Sequence, residues 1–256
     1  CGGMTALLPL RRVSTPSGGR DLPEEVPVAL VYNATTHAVM MATPEAIADL
    51  ALGFTLSEGI ASAAEAGEVE VVEHDLGIEA RLWLPAHREA ALAARRRTLV
   101  GAVGCGLCGI DSLEAASRPL PRLPDGGPRL SRAEVHAALD ALRTHQPLHD
   151  ATRAVHAAGL WGAGHILLAR EDVGRHNALD KLIGAAARAG IMPETVAITS
   201  RLSVEIVQKT VMAGARILLS VSAPTAHAVR LAETANLTLG STAGGLTIYT
   251  GTDQIP

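Results

Sequence analysis

The sequence predicts an α/β protein: a layered α/β/α domain in the second half, preceded by a smaller α+β region. Three observations carry this. After residue 130, apolar runs of roughly five residues alternate with amphipathic stretches of roughly ten to twelve, the pattern of strands and helices in a largely parallel sheet covered on both faces. Before residue 115, short strand-like runs surround one well-marked helix. Between the two, residues 118–130 hold four prolines and can continue neither a helix nor a central strand. The expected organisation is an N-terminal α+β region, 1–117, ending in a Cys-x-x-Cys loop; a Pro/Gly-rich linker or long surface loop, 118–130; and an α/β ligand-binding domain, 131–256.

The elements follow in order. Residues 26–32, 38–42, 69–74 and 78–84 read as strands. A helix is expected from Thr43 as N-cap, with Pro44 in the first turn and Glu45 favourable to the dipole, running through Ile47, Leu50, Ala51 and Phe54 at helical spacing. Residues 86–98, rich in Ala and Arg, read as a second helix or a mobile connection. Ser131-Arg132-Ala133-Glu134 is a capping box that opens a helix to about residue 144. Then come a strand at 165–169, a helix near 178–189 closed by Gly190, and a strand at 195–199. A helix from 203 to 213 closed by Gly214, a strand at 217–221, a helix at 226–235 and two short strands complete the domain.

Composition narrows the function. The 256 residues carry a formal net charge of −4, which argues against a general polyanion binder. Aromatics make up 2%, so base stacking has almost nothing to work with and nucleic acid is not an expected partner. No apolar run approaches the ~20 residues that span a bilayer, and no basic-then-apolar leader opens the chain, so a cytoplasmic location away from membranes is expected. Arginine dominates the cations; Lys181 and Lys209 are the only lysines.

Two cysteines stand in Gly104-Cys105-Gly106-Leu107-Cys108-Gly109; the third, Cys1, precedes the first methionine and is assigned no role. In a cytosolic chain such a pair is more often catalytic or metal-binding than structural. Its glycine surroundings favour tight turns and uncovered thiols over packing. Half a zinc site, a dithiol switch and a sulfur-carrying nucleophile with a helper thiol are the chemistries to weigh. Zinc is disfavoured: no second Cys-x-x-Cys occurs, no close His pair completes the site, and the His-x-Glu and Pro-Cys-x-x-Cys of zinc deaminases are missing. No metal ligand is assigned. Glycines on both sides oppose the immediate helix of a thioredoxin-like motif. Sulfur relay fits best, with one thiolate taking up a sulfane sulfur and the second releasing it.

The ends of the predicted strands are polar. They lead into Glu171-Asp172-Val173-Gly174-Arg175-His176-Asn177, into Ser200-Arg201, and into Ser220-Val221-Ser222-Ala223-Pro224-Thr225. Each precedes a helix N-terminus, where free amides and the dipole favour an anion. For one loop alone capping is the simpler account: Ser203 and Thr225 close helices, and Asp172 pairs with Arg175. Three converging loops favour a phosphate-bearing ligand such as a nucleotide, with Arg175 and Arg201 as bidentate donors. Neither a P-loop nor a dinucleotide glycine fingerprint occurs. Ser241-Thr242-Ala243-Gly244-Gly245 is a further candidate loop, although a hairpin turn would read the same way. His156 has two readings, a structural histidine or a general base near the cysteines.

Several of these motifs, taken together and in order, resemble the FdhD family of formate dehydrogenase accessory sulfurtransferases (FdhD/NarQ). They are Phe54-Thr55-Leu56-Ser57-Glu58-Gly59-Ile60, Cys105-Gly106-Leu107-Cys108-Gly109, the block from Glu171 to Lys181, Ser200-Arg201-Leu202-Ser203 and Ser222-Ala223-Pro224-Thr225. The resemblance covers about residues 20–250. It implies a cytidine-deaminase-like C-terminal domain lacking the deaminase zinc site, and a homodimer. It also implies a cytoplasmic sulfur carrier that receives sulfur from a cysteine desulfurase. The acceptor would be the bis-guanine-dinucleotide molybdenum cofactor, Mo-bis(molybdopterin guanine dinucleotide), destined for formate dehydrogenase. By motif match Cys105 is the persulfide-bearing cysteine and Cys108 its partner, while the cofactor-binding stretch falls on Ser241, Thr242, Ala243, Gly244, Gly245 and Leu246. Two departures mark this chain: Thr152-Arg153-Ala154-Val155-His156 stands where the family usually shows Thr-Gly-Gly-x-His, and an aromatic-and-arginine loop is replaced at 241–245. The alternative function is a cofactor-binding chaperone for a molybdoenzyme without sulfur relay.

Overall fold

The computed structural model describes residues 7–16, 18–89, 92 and 119–256. Cys1, Cys105 and Cys108 lie outside the described residues, as does most of the stretch 86–98, of which 86–89 form a helical turn.

The first half begins with an exposed hairpin, β1 (Leu10–Thr15) and β2 (Gly18–Pro23), which the polar sequence did not announce. Next come β3 (Val26–Tyr32), β4 (Thr35–Ala42), α1 (Ile47–Ser57), the single turn α2 (Ala63–Ala66), β5 (Glu70–His74) and β6 (Gly77–Leu82). The sheet order is β4-β3-β6-β5, parallel only between β3 and β6. The inner face of this sheet (Val28, Leu30, Tyr32, Ala80, Leu82) closes on Leu50 and Ala51 of α1, giving the half its own apolar core.

In the second half, α3 (Arg132–Arg143) opens on the expected capping box, with Ser131 Oγ accepting the Glu134 amide at 3.2 Å. It is followed by α4 (Pro147–Thr152), β7 (His156–Gly162), β8 (His165–Asp172) and α5 (Arg175–Arg188). Then β9 (Thr195–Ile198), α6 (Val204–Met212), β10 (Ile217–Ser220), α7 (Ala226–Ala235), β11 (Thr238–Ser241) and β12 (Thr247–Thr250) complete the chain. The sheet order is β12-β11-β10-β9-β7-β8. One face is covered by α5, α6 and α7, whose apolar sides meet Leu160, Val196, Ile198, Leu218 and Leu239. The other meets α3 through Val135, Ala138 and Leu142.

The expectation of a largely parallel sheet is corrected. Only β9, β10 and β11 run parallel; their four residues each are wholly buried, as strands covered on both faces require. β7 was not foreseen and runs antiparallel to both β8 and β9. Its link to β8 is a two-residue turn with Ala163 and Gly164 at φ 51° and 79°, the left-handed pair that makes an antiparallel hairpin.

A second correction concerns α1, which starts at Ile47 rather than Thr43, with Ala46 at φ 52° before it. Thr43 is committed elsewhere. Its amide donates to Asp172 Oδ2 (3.0 Å), its hydroxyl accepts from Val173 N (3.2 Å), and its carbonyl accepts from Lys181 Nζ (3.0 Å).

The proline-rich stretch runs over the second half as a mostly exposed loop with buried anchors. Leu123 is 5% exposed and its amide donates to Ala235 O at 2.9 Å; the Arg216 guanidinium donates to the carbonyls of Pro124 and Gly126.

The halves meet along α1 and α5, which cross so closely that a Cβ at Gly53 would overlap the carbonyl of Asp180, and one at Gly184 that of Asp49. Charged groups flank the crossing. Asp49 pairs with Arg170 (2.8 Å) and Arg188 (3.1 Å). Lys209 Nζ donates to Asp180 Oδ2 (2.9 Å), Glu58 Oε1 (2.8 Å) and Ser57 Oγ (3.0 Å), with the Phe54 ring 5.0 Å away.

Candidate functional site at the strand ends

Because β7 and β8 are antiparallel to their neighbours in the right sense, five loops reach one edge of the large sheet. These are the start of β7, the β8–α5 turn, and the carboxyl ends of β9, β10 and β11. A chain of serine hydrogen bonds ties three of them. Ser220 Oγ donates to Ser200 O (2.7 Å) and accepts from Ser222 N (2.9 Å); Ser241 Oγ donates to Ser222 O (3.0 Å) and accepts from Ala243 N (3.1 Å). The Thr242 amide donates to Ser220 O at 3.0 Å. Each of these hydroxyls thus holds the backbone of a neighbouring loop, so the edge is a fixed surface.

Beyond Ser241 the chain turns at 242–245, with Gly245 N donating to Thr242 O (3.1 Å). Gly244 and Gly245 have φ 72° and 112°, which glycine adopts without strain, and a Cβ at either would meet nothing within 4 Å. Open space therefore lies beside this loop. Leu246 turns back toward the α3 core, its carbonyl accepting from Arg132 Nη2 at 3.1 Å.

The other predicted residues separate into two groups. Arg175 and His176 open α5 at this edge, and Arg175 Nε and His176 Nε2 are buried without a hydrogen-bond partner among the described residues. Burial first, then the charges of Arg175 and Lys209, pull the His176 imidazole down to about 4, so it is neutral at pH 7 with Glu205 Oε2 at 4.0 Å. Arg201 is exposed beside Ser200. In contrast, Asn177 and Thr225 serve the fold. The Asn177 amide donates to Met41 O (2.8 Å) and Asp172 Oδ1 (3.0 Å), joining β4 to the β8–α5 turn. Thr225 Oγ1 accepts from Ala228 N (3.2 Å) as the cap of α7. Asp172 does not pair with Arg175; it is wholly buried against Lys181 at 2.7 Å.

His156 lies opposite Asp172 in the β7–β8 register. Burial, then the charges of Arg175 and His149, lower its pKa. It borders a cavity of about 570 Å³ between α3, α4 and the ends of β9 and β10, which sequence reasoning missed. Its lining comes from segments far apart in the chain. Among the described residues, no group of three or more His, Cys, Asp or Glu is placed to hold a metal ion. No helix there is long and apolar enough to cross a membrane.

Comparison with known proteins adds a family. A model described as the FdhD/NarQ family matches residues 23–256. A relative from Agrobacterium fabrum, named Sulfur carrier protein FdhD, is 48% identical over 252 residues, covering 96% of this chain and 93% of its own length. One of the same name from Brucella abortus is 51% identical over 224 residues, covering 86% and 83%. A crystal structure from Desulfotalea psychrophila, assigned as a formate dehydrogenase accessory protein, superposes with a TM-score of 0.71 over 96% of this chain and 97% of its own. At 22% identity that likeness shows the fold alone.

Proposed function

The chain belongs to the FdhD/NarQ family, and from that premise we propose that it is a sulfur carrier that supports formate dehydrogenase. The observation that carries this is near-full-length identity of 48% to a relative named for sulfur carriage. The finer chemistry is our own reading. Cys105 takes sulfur from a cysteine desulfurase in the cytoplasm: its thiolate attacks the outer sulfur of the donor persulfide, the donor S–S bond breaks, and the electron pair leaves on the donor thiolate. Cys108 then attacks Cys105 Sγ, forming a Cys105–Cys108 disulfide and expelling hydrosulfide toward the acceptor.

The acceptor in this reading is the bis-guanine-dinucleotide molybdenum cofactor, handled as a substrate. The strand-end surface suits its anionic arms: Arg175 has a buried nitrogen without a hydrogen-bond partner among the described residues, Arg201 is exposed, and the 242–245 turn has open space beside it. This assigns residues 131–256 to cofactor binding as a three-layer, cytidine-deaminase-like domain, and 1–117 to sulfur presentation across the 118–130 loop. The working form is a homodimer.

The test is intact mass after incubation with a cysteine desulfurase and cysteine. Wild type gains ~32 Da, one sulfur, and Cys105→Ala gains nothing. A wild-type protein that stays unmodified overturns the relay. Formate dehydrogenase activity supported equally by Cys105→Ala would favour a cofactor-binding chaperone instead.

A further inference from the structure

The sequence of β3, Val-Pro-Val-Ala-Leu-Val-Tyr, is apolar up to Tyr32, as strands covered on both faces are. Val28, Leu30 and Tyr32 close on α1, whereas Pro27, Ala29 and Val31 alternate onto the opposite face of the sheet. On that face Pro27 pairs with Met41 and Ala29 with Val39 of β4. The alternation that buries Leu82 of β6 carries Trp83, the next residue, outward to the same side. Among the described residues no layer closes this face: Val39 is 46%, Met41 40% and Trp83 62% exposed. The apolar stripe runs roughly 20 Å along the strands, from Pro27 to the level of Trp83. Of the chain's aromatics, Tyr32 and Trp161 are buried and Phe54 and Tyr249 half-buried; Trp83 alone is exposed. Exposed apolar stripes with a protruding tryptophan are where protein partners anchor.

The charges around the stripe say which kind of partner fits. Beside it they balance one another, with Arg81 at 2.7 Å from Glu79 and 3.7 Å from Glu70, and His74 at 3.6 Å from Glu79. At the rim they do not: Glu68, Glu73 and Asp75 are exposed and have no ion pair among the described residues. β5 is the edge of this sheet, and acids along an edge keep a further strand from adding, so the face is the surface open to a partner. An apolar centre bordered by unpaired acids fits a protein that presents a basic rim around an apolar patch.

The same end of the sheet is the root of the stretch that carries Cys105. As the chain leaves β6, Asn33 grips it from the β3–β4 turn: its carboxamide accepts from Leu84 N (2.7 Å) and donates to Leu84 O (3.1 Å) and to Glu89 Oε2 (2.9 Å). Trp83 and the start of the cysteine-bearing stretch are therefore one fixed piece. Attack of the Cys105 thiolate on a donor persulfide requires the donor protein to stand in direct contact.

Given the sulfur-carrier reading, we propose that the outer face of the β4-β3-β6-β5 sheet, centred on Trp83, Val39 and Met41, is the docking surface for the protein that donates the sulfur. Its acidic rim selects a donor with basic residues around its own apolar patch.

Interferometry of the full chain against a purified cysteine desulfurase reads this contact directly. Persulfide formation is followed in parallel from that enzyme and from inorganic polysulfide, a donor that needs no docking. Trp83→Ser and Val39→Glu each weaken desulfurase binding about tenfold or more and slow loading from it, while loading from polysulfide stays as in wild type. Met192→Ser, which alters a 68% exposed residue of the other half, changes none of these. Added salt slows association with wild type. No desulfurase binding by wild type, or unchanged affinity in both face variants, overturns the proposal. So does a wild-type dimer that Val39→Glu splits into monomers with desulfurase binding intact, which would give the face to a second copy of the chain. Wild type that takes up no sulfur even from polysulfide sinks the sulfur carrier instead, and the binding curves still judge the face.

Discussion

Lys181 and Lys209 are the only lysines in a chain that otherwise carries its positive charge on arginine, and both are buried. A compact ammonium fits where a guanidinium fork would not. Burial pulls the Lys209 ammonium down, but Asp180 and Glu58 hold it above its ordinary value. The two lysines close the contact between halves from either end of the motif block 171–181, which explains why that block is so densely polar although only its first turn faces the strand-end surface. His176 behaves differently, because nothing donates it a compensating charge strong enough to offset burial. Its pKa of about 4, against 6.5 for a free imidazole, means that between those values the unfolded chain binds the proton and the folded one does not. Stability therefore rises with pH through this window and is lost as pH falls from about 6.5 toward 4. The effect amounts to about 3 kcal/mol. His176→Asn removes it, so a urea series at several pH values gives a flatter stability profile for the variant. An equal slope in both proteins would show that the imidazole is not the group responsible.

At the scale of elements, α1 and α5 cross with their backbones in direct contact at Gly53 and Gly184. Replacing a helical glycine by alanine normally strengthens a helix by about 1 kcal/mol. At Gly184 the added Cβ overlaps the Asp49 carbonyl, so the helices must separate. We expect Gly184→Ala to lower stability by about 1–3 kcal/mol in chemical denaturation, against the direction that propensity dictates. A stabilised variant would mean that the crossing relaxes freely. Which elements the sequence disclosed follows the same logic of local against distant determinants. α3 was legible from its capping box, and the buried runs of β9 and β10 from apolar content alone. β7, His-Ala-Ala-Gly-Leu-Trp-Gly, has no β-branched residue and does not read as a strand, yet with β12 it makes the sheet mixed rather than parallel. The start of α1 was misplaced because Thr43 answers to Asp172 and Lys181, more than a hundred residues away, rather than to its own helix. The strand-end loops were visible because polar residues follow apolar runs. The cavity was not: α3, α4, β9 and β10 each contribute to it, and the left-handed backbone of Arg153 is not written in its residue type.

For the whole molecule, the question is whether the two halves unfold separately. Helix α1 belongs to both halves at once. Leu50 and Ala51 complete the first core, while Gly53, Asp49 and Ser57 lie against the second half. Parting the halves would strip Thr43 from Asp172 and Lys181, Met41 O from Asn177, and Ser57 and Glu58 from Lys209. Uncovering buried charge and amide groups in this way costs several kcal/mol even after water enters. A half-open state therefore has neither a complete core nor satisfied polar groups, and a single cooperative transition is expected. The chain carries a reporter in each half, Trp83 just after β6 and Trp161 in β7. Labelling with 5-fluorotryptophan gives two resonances whose urea midpoints coincide if the halves unfold together. A Trp83 midpoint clearly below that of Trp161 would show that the first half opens on its own. In that case the contact between α1 and α5 would serve as a hinge rather than a lock, and the first half would move relative to the strand-end surface.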